Sequence, residues 1–181
     1  LLLPVTPFLA TFTLPEELRR VARSNQKTVY SILFRASSKA LQKLAWDERF
    51  IGGRVGMVGV LHTWTRALIY HPHVHYIVTG GGLSEKGEWK RSREDFLVPV
   101  RAVSVIFRAK FRDLLKKTEL FDQVDARVWE KEWVVHSEPV GTGEAAFKYL
   151  APYVFRVAIS NSRIVKIEDG RVTFKVQRLG Y

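Results

Sequence analysis

Three of the chain's five histidines lie within five residues of one another, in the stretch YHPHVHYIVTGGG. On a β-strand, side chains two positions apart point to the same face of the sheet. His73 and His75 are therefore expected to stand side by side, about 7 Å apart along the strand, where their imidazoles could hold one divalent cation. An isolated His-x-His pair can equally pack against its neighbours or form surface hydrogen bonds, so a metal site needs further support.

Pro72 bears on which histidines can join such a site. Proline lacks a backbone N–H and favours the first residue or the edge of a strand, so the sequence predicts that His71 belongs to the preceding turn. A catalytic metal also needs a third protein ligand and an open position. His62, near the end of the preceding predicted strand, is our candidate for that ligand. The weaker candidates are His136, Glu138 and Glu144.

A second group of reactive side chains lies in the segment KYLAPYVFR. Tyr149 and Tyr153 are four residues apart, which places both on one face of a helix. Aromatic residues at this spacing are usually part of a core. Tyrosine is also a competent nucleophile towards a phosphodiester when a cation neutralises the phosphate. Lys148 and Arg156 flank the pair, as phosphate-binding groups or as solvated side chains.

The charge of the chain favours a polyanionic partner. Its 181 residues contain 29 Lys and Arg against 18 Asp and Glu, a formal net charge of +11, and an excess of this kind attracts nucleic acid. No apolar run approaches the roughly 18 residues of a membrane span, so no membrane partner is expected. The absence of cysteine fits a reducing cytosol and excludes Cys-based zinc sites within this sequence.

The remaining pattern predicts one α+β domain over residues 1–181, with a mainly antiparallel sheet and helices packed on it. Strands are predicted at residues 8–13, 54–64, 73–80 and within 131–140, and a hairpin with an Asp-Gly turn within 163–176. Helices are predicted from Pro15, over residues 25–47 and 100–117, and after Gly143. Gly80, Gly81 and Gly82 are interpreted as a turn.

Taken together, these stretches resemble the HUH superfamily of single-strand DNA endonucleases, and within it the IS91-type transposases. The matching stretches are FLATFTLPEELR, VLHTWTRAL, HPHVHYIVTGGGL, WVVHSEPVGTGEAAFKYLAPYVFRVAISNSRI and DGRVTFKV. The combination of HPHVH with YLAPY, in this order, is more specific than either part alone. The resemblance covers nearly the whole chain.

The resemblance implies a mechanism and a set of partners. His73 and His75 would bind Mg²⁺ or Mn²⁺, and Tyr149 and Tyr153 would be paired nucleophiles that form a 5′-phosphotyrosine link. The substrate would be single-stranded DNA at transposon ends and targets, in the bacterial cytoplasm at the nucleoid. The cysteine-rich zinc-binding segment usual in this family is absent here, which indicates a fragment. Pro152 stands where a basic residue is common and makes Tyr149 the stronger candidate.

Two other functions remain open from the residues alone. A non-catalytic or degenerate nucleic-acid-binding remnant of a mobile element would explain the charge and the aromatic residues. A metallohydrolase that uses a metal-bound water would explain the histidines and would leave no covalent link between protein and DNA.

Overall fold

The computed structural model describes residues 5–65, 67–145, 148, 151 and 163–175. Its strands are β1 (Phe8–Thr13), β2 (Arg54–Trp64), β3 (Tyr70–Leu83), β4 (Trp89–Arg91), β5 (Val135–Pro139), β6 (Ile164–Glu168) and β7 (Arg171–Phe174). Its helices are α1 (Arg19–Ser24), α2 (Gln26–Ala45) and α3 (Val100–Leu115), with short 3-10 turns at Glu16–Leu18, Phe121–Gln123 and Ala126–Trp129. Residues 143–145 are also helical.

The main sheet is antiparallel, and its strand order is β2-β3-β1-β5, with β4 paired to the end of β3. β6 and β7 form a separate hairpin. Asp169 and Gly170 both have positive φ, 49° and 70°, as the predicted Asp-Gly turn requires. The predicted α+β class and antiparallel sheet are confirmed. Among the described helices, none combines the length and apolar character needed to cross a bilayer.

One face of the sheet is apolar and carries α2 and α3. Phe12 of β1 lies edge-on against Tyr76 of β3 and Phe107 of α3, with ring centroids 5.8 and 5.2 Å apart. The Tyr76 hydroxyl is 2.9 Å from Ser37 Oγ on α2, which ties the helix to the sheet. Burial of each large apolar side chain contributes about 1.5–3 kcal/mol to folding. Because neighbouring residues of a strand alternate between faces, the histidines of β3 point away from this core.

The strand β3 begins earlier than predicted, so the placement of His71 in a turn is wrong. The pairing of His62 with His73 is followed by that of Trp64 with Tyr70, and β3 therefore has one more residue than β2 in this interval. This β-bulge accommodates Pro72, because proline is tolerated in a strand where the ladder is already irregular. The carbonyl of Pro72 still accepts the N–H of Leu14 at 3.0 Å.

The predicted turn at Gly80–Gly82 is also wrong, because all three glycines belong to β3. A Cβ atom on Gly80 would lie 2.1 Å from the carbonyl oxygen of Thr6, so only glycine fits the close approach of the two backbones. The chain reverses a few residues later. There the N–H of Ser84 donates to the carbonyl of Glu88 at 2.9 Å, and Gly87 adopts a φ of 78°.

Candidate metal centre

Three histidines meet on the sheet face that does not carry α2 and α3. His62 on β2 is the register partner of His73 on β3, and His75 follows two residues later on the same face. One ring nitrogen from each residue lies within 4.8 Å of the others. The ring centroids are 4.8 to 5.2 Å apart. The sheet register thus brings together all three residues that the sequence predicted as metal ligands.

Two of the rings are held by hydrogen bonds on their Nδ1 side. Nδ1 of His73 donates to the carbonyl of His71 at 2.6 Å, which places the ring's lone pair on Nε2. Nδ1 of His75 is 3.0 Å from Oγ1 of Thr11, its register partner on β1. When Nδ1 donates in this contact, Nε2 of His75 is likewise the basic nitrogen. Bonds of this kind fix the tautomer and orientation of metal-binding histidines.

Burial favours the neutral imidazoles of His73 and His75. His75 is only 9% exposed, and this burial, reinforced by His73 and His62, lowers its pKa to about 3. Burial also lowers the pKa of His73, although the bond to the His71 carbonyl opposes the shift. Neutral imidazole is the form that binds a metal, so no proton has to leave these two rings at neutral pH.

The sequence pattern did not single out Arg19, which lies beside the cluster. Its guanidinium donates to Nδ1 of His71 at 2.8 Å, and the ring of His71 lies 5.4 Å from that of His73. The bond requires a neutral His71 with its lone pair on Nδ1. Burial, followed by the charges of His73 and Arg19, lowers the pKa of His71. Arg19 therefore brings a permanent positive charge close to the histidine triad His62, His73 and His75.

The weaker ligand candidates are not part of this cluster. His136 and Glu138 are on β5 and pair with each other at 3.3 Å, and Glu144 pairs with Lys148 at 2.8 Å. The ion pair engages Lys148, which the sequence suggested as a phosphate-binding group. Among the residues that the structure describes, only the three histidines form a cluster suited to a metal. The predicted nucleophiles Tyr149 and Tyr153, and Arg156, lie outside the described residues.

Residues 56–180, which include the triad and both tyrosines, match the Y2_Tnp family, described as "Putative transposase". The chain belongs to this family. The match confirms the resemblance to transposases drawn from HPHVH and YLAPY.

Individual relatives agree with the family match. The chain is 38% identical to "Putative transposase y4qJ" of Sinorhizobium fredii, over 96% of this chain and 49% of that protein. It is 30% identical to "Transposase for insertion sequence element IS801" of Pseudomonas savastanoi pv. phaseolicola, over 88% of this chain and 41% of that protein. The chain thus spans less than half the length of these curated relatives.

A solved structure shares the fold. The conjugative relaxase TrwC, in a metal-free complex with OriT DNA, superposes with a TM-score of 0.50 at 17% identity. The superposition covers 62% of this chain and 44% of the relaxase. It confirms the α+β architecture of an antiparallel sheet with packed helices, and at this identity the likeness shows the fold alone.

Proposed function

We propose that residues 1–181 form one catalytic domain that cuts and rejoins single-stranded DNA through a 5′-phosphotyrosine intermediate during DNA transposition. The observation that carries the proposal is the histidine triad, on the sheet face opposite the helices, in a chain of the Y2_Tnp family. Relatives named as transposases make transposon ends and targets the DNA to expect. Such a substrate would be met at the nucleoid, in the bacterial cytoplasm.

The donor set of the triad fits a divalent transition metal. His62, His73 and His75 would hold the ion, and three protein ligands leave positions open for substrate. When bound, the ion withdraws electron density from the scissile phosphate and offsets its negative charge. Imidazole nitrogens suit transition metals, whereas Mg²⁺ prefers oxygen ligands, so we expect Mn²⁺ to bind more tightly than Mg²⁺.

The tyrosines would supply the covalent chemistry. The phenolic oxygen of Tyr149 or Tyr153 attacks phosphorus, and the P–O3′ bond breaks. The tyrosine loses its hydroxyl proton, and the departing 3′ oxygen takes up a proton to become a 3′-hydroxyl. The phosphotyrosine bond keeps the energy of the cleaved phosphodiester, so attack by a 3′-hydroxyl rejoins DNA without ATP. The second tyrosine permits a second transfer before the first link is resolved. Arg19 would help to hold the anionic strand near the triad.

The decisive experiment is a search for the covalent intermediate. We expect single-stranded DNA incubated with the protein and Mn²⁺ to give a protein–DNA adduct on a denaturing gel. Tyr149→Phe should remove most of the adduct, and the Tyr149→Phe/Tyr153→Phe double variant should remove all of it. His73→Ala and His75→Ala should lower adduct formation at limiting metal, because each removes a ligand.

The alternatives give different products. Nicking that persists in the double tyrosine variant, with a free 5′-phosphate and no adduct, would assign cleavage to a metal-bound water and end the tyrosine mechanism. DNA binding without nicking under any metal condition would identify a non-catalytic domain. Tyr30→Phe is the matched control, because Tyr30 lies on α2 and its hydroxyl pairs with that of Tyr70, so the substitution removes a phenol to which the proposal gives no role.

A further inference from the structure

The positive charge of the chain is concentrated on its helical layer. α2 contains no acidic residue, and α3 contains only Asp113. Together the two helices carry +7 of the formal net charge of +11. The eight basic residues are Lys27, Arg35, Lys39, Lys43, Arg101, Arg108, Lys110 and Arg112.

The four cations of α2 form a stripe on its outer side. Lys27, Arg35, Lys39 and Lys43 are separated by multiples of four residues, which aligns them along the helix. All four are exposed, while α2 buries its apolar side chains against the sheet. Within the described part of the chain, none of the eight helix cations forms an ion pair. Their charge is therefore not neutralised by neighbouring carboxylates.

Two shallow cavities follow this stripe. One, of about 510 Å³, is lined by Lys39, Gln42, Lys43, Trp46, Arg54 and Lys110. The other, of about 610 Å³, lies between the first half of α2 and the end of α3, where Lys27, Arg35 and Lys117 contribute to its wall. Neither cavity has a carboxylate in its lining. A third cavity, beside the β3–β4 turn, shares Trp46 with the first cavity but has Glu48, Glu85 and Glu88 in its wall, so a lining without carboxylates is particular to the two cavities along the helices.

An aromatic ring stands at one end of the stripe. Trp46 follows the last residue of α2, is 41% exposed and lines the first cavity together with three lysines and Arg54. The end of α2 is tied to the start of β2, because the side-chain amide of Gln42 forms two hydrogen bonds with the backbone of Val55, at 2.7 and 3.2 Å. An exposed ring among cations can stack on an unpaired base while the cations contact phosphates.

We propose that Trp46 and the basic residues along α2 and α3, the helix track, form a second binding site for single-stranded DNA. This site lies on the side of the sheet opposite the histidine triad. Arg54, near the Trp46 end of this site, begins β2, and His62 lies eight residues further along, about 26 Å away along the strand. The helix track extends the proposed function, but its binding does not depend on the triad or the tyrosines.

The exposed ring of Trp46 favours single-stranded over duplex DNA. Lysine and arginine alone would bind the phosphates of a duplex as well as those of a single strand. A duplex keeps its base faces stacked inside the helix, whereas an unpaired base offers its face to Trp46. The occupant expected on the helix track is therefore a single strand, with its phosphates along α2 and a base on Trp46.

The test measures binding of oligothymidylate by fluorescence anisotropy, without metal, over a series of salt concentrations. Lys39→Gln/Lys43→Gln/Lys110→Gln should weaken binding at low salt by tenfold or more. It should also make the plot of log association constant against log salt concentration less steep by about 2, since each phosphate contact to a single strand contributes about 0.7 to the magnitude of the slope. The matched control, Arg127→Gln/Lys166→Gln/Arg171→Gln, removes the same charge from other exposed positions and should keep the slope.

Variants of Trp46, measured in the same binding experiment, test the stacking contact. Trp46→Ala should weaken oligothymidylate binding by about 5- to 150-fold, the equivalent of one lost stack, while Trp46→Phe retains most of the affinity. A blunt duplex should bind more weakly and should not distinguish these variants. Equal duplex affinity with no effect of Trp46→Ala would overturn the single-strand assignment. A slope that falls in the control variant but not in the helix variant would overturn the site itself.

The same measurement separates this inference from the proposed function. In a His73→Ala/His75→Ala background, the helix track should bind oligothymidylate as before. If the unsubstituted protein forms no adduct with Mn²⁺ but still binds oligothymidylate, the catalytic proposal falls and the helix track stands. The opposite result is normal adduct formation by the unsubstituted protein, together with an unchanged salt slope in Lys39→Gln/Lys43→Gln/Lys110→Gln. It removes the helix track and leaves catalysis in place.

Discussion

At the scale of single residues, the sequence pattern could not predict the hydrogen-bond partners of the histidines. The His-x-His spacing predicted that His73 and His75 share a face, because strand periodicity is local. Thr11, which contacts Nδ1 of His75, lies 64 residues earlier and becomes its neighbour only because β1 pairs with β3. Arg19 reaches His71 across a similar distance in sequence. Contacts between strands depend on sheet order, which no short pattern specifies.

Tyr76 gives a residue-level prediction about alkaline pH. It is 3% exposed, and burial raises its pKa to about 12, although its bond to Ser37 opposes the shift. An unfolded tyrosine ionises near pH 10, so the folded state keeps a proton that the unfolded state loses between about pH 10 and 12. Its contribution to stability is full below pH 10 and declines as the pH rises through 12.

Urea unfolding between pH 8 and 11 tests this expectation. The loss of stability above pH 10 should approach about 1.4 kcal/mol per pH unit from this group, and Tyr76→Phe should reduce that slope. Tyr76→Phe should itself cost about 1 kcal/mol at pH 8, through the bond to Ser37. An unchanged slope in Tyr76→Phe would show that the phenol does not govern the alkaline transition.

At the scale of elements, local pattern predicted most of the architecture. Periodicity predicted α2 and α3, and β2 has the bounds expected from RVGMVGVLHTW. The two errors both lie in β3. Pro72 and Gly80–Gly82 are residues that usually end a strand, but here a bulge accommodates the proline and close neighbouring backbones require the glycines. Both exceptions come from partners distant in sequence, so the local rule could not anticipate them.

Gly80 offers a test of this explanation. Gly80→Ala would place a methyl group against the carbonyl oxygen of Thr6, at a distance of 2.1 Å that forces the backbone to move. We expect a loss of about 1–3 kcal/mol in the free energy of unfolding, as for other overpacked sites. Gly56→Ala is the matched strand control, because its new methyl group meets only the side chain of Thr79, at 3.1 Å.

Urea unfolding gives both free energies. Gly56→Ala should cost less than Gly80→Ala, since a side chain adjusts more readily than a backbone carbonyl. Equal costs for the two substitutions would mean that the position of Gly80 in the strand, and not the close approach of Thr6, explains its presence.

At the scale of the whole molecule, the sheet separates two surfaces with different chemistry. The triad lies on one side, and the apolar core and the basic helices lie on the other. The net charge of +11 predicted a polyanionic partner from composition alone, but composition could not locate the charge. The fold concentrates it on the outer faces of two amphipathic helices, α2 and α3.

Metal binding should stabilise the whole fold. A ligand that binds only the folded state at 100 times its Kd adds about 2.7 kcal/mol, which for a chain of this length raises Tm by roughly 5–11 °C. We expect one cooperative unfolding transition that moves upward with Mn²⁺, and a smaller shift with the same concentration of Mg²⁺. Differential scanning calorimetry gives both quantities.

His62→Ala is the critical variant for this measurement, with the exposed His136→Ala as its control. If the Mn²⁺-induced rise in Tm is lost in His62→Ala but kept in His136→Ala, the result supports His62 as the third metal ligand. An identical shift in the two variants would exclude His62 from the metal centre.

The alternation of β3 constrains how this protein can change. Insertion or deletion of one residue between Pro72 and Gly80 would exchange the roles of its two sides, because the strand repeats every two residues. Val74 and Tyr76 would leave the core and the histidines would enter it, so fold and chemistry would be lost in one event. Lineages that keep the triad should therefore preserve the spacing of inward and outward residues in β3, and a single added residue should survive only where a β-bulge absorbs it, as one does at Pro72.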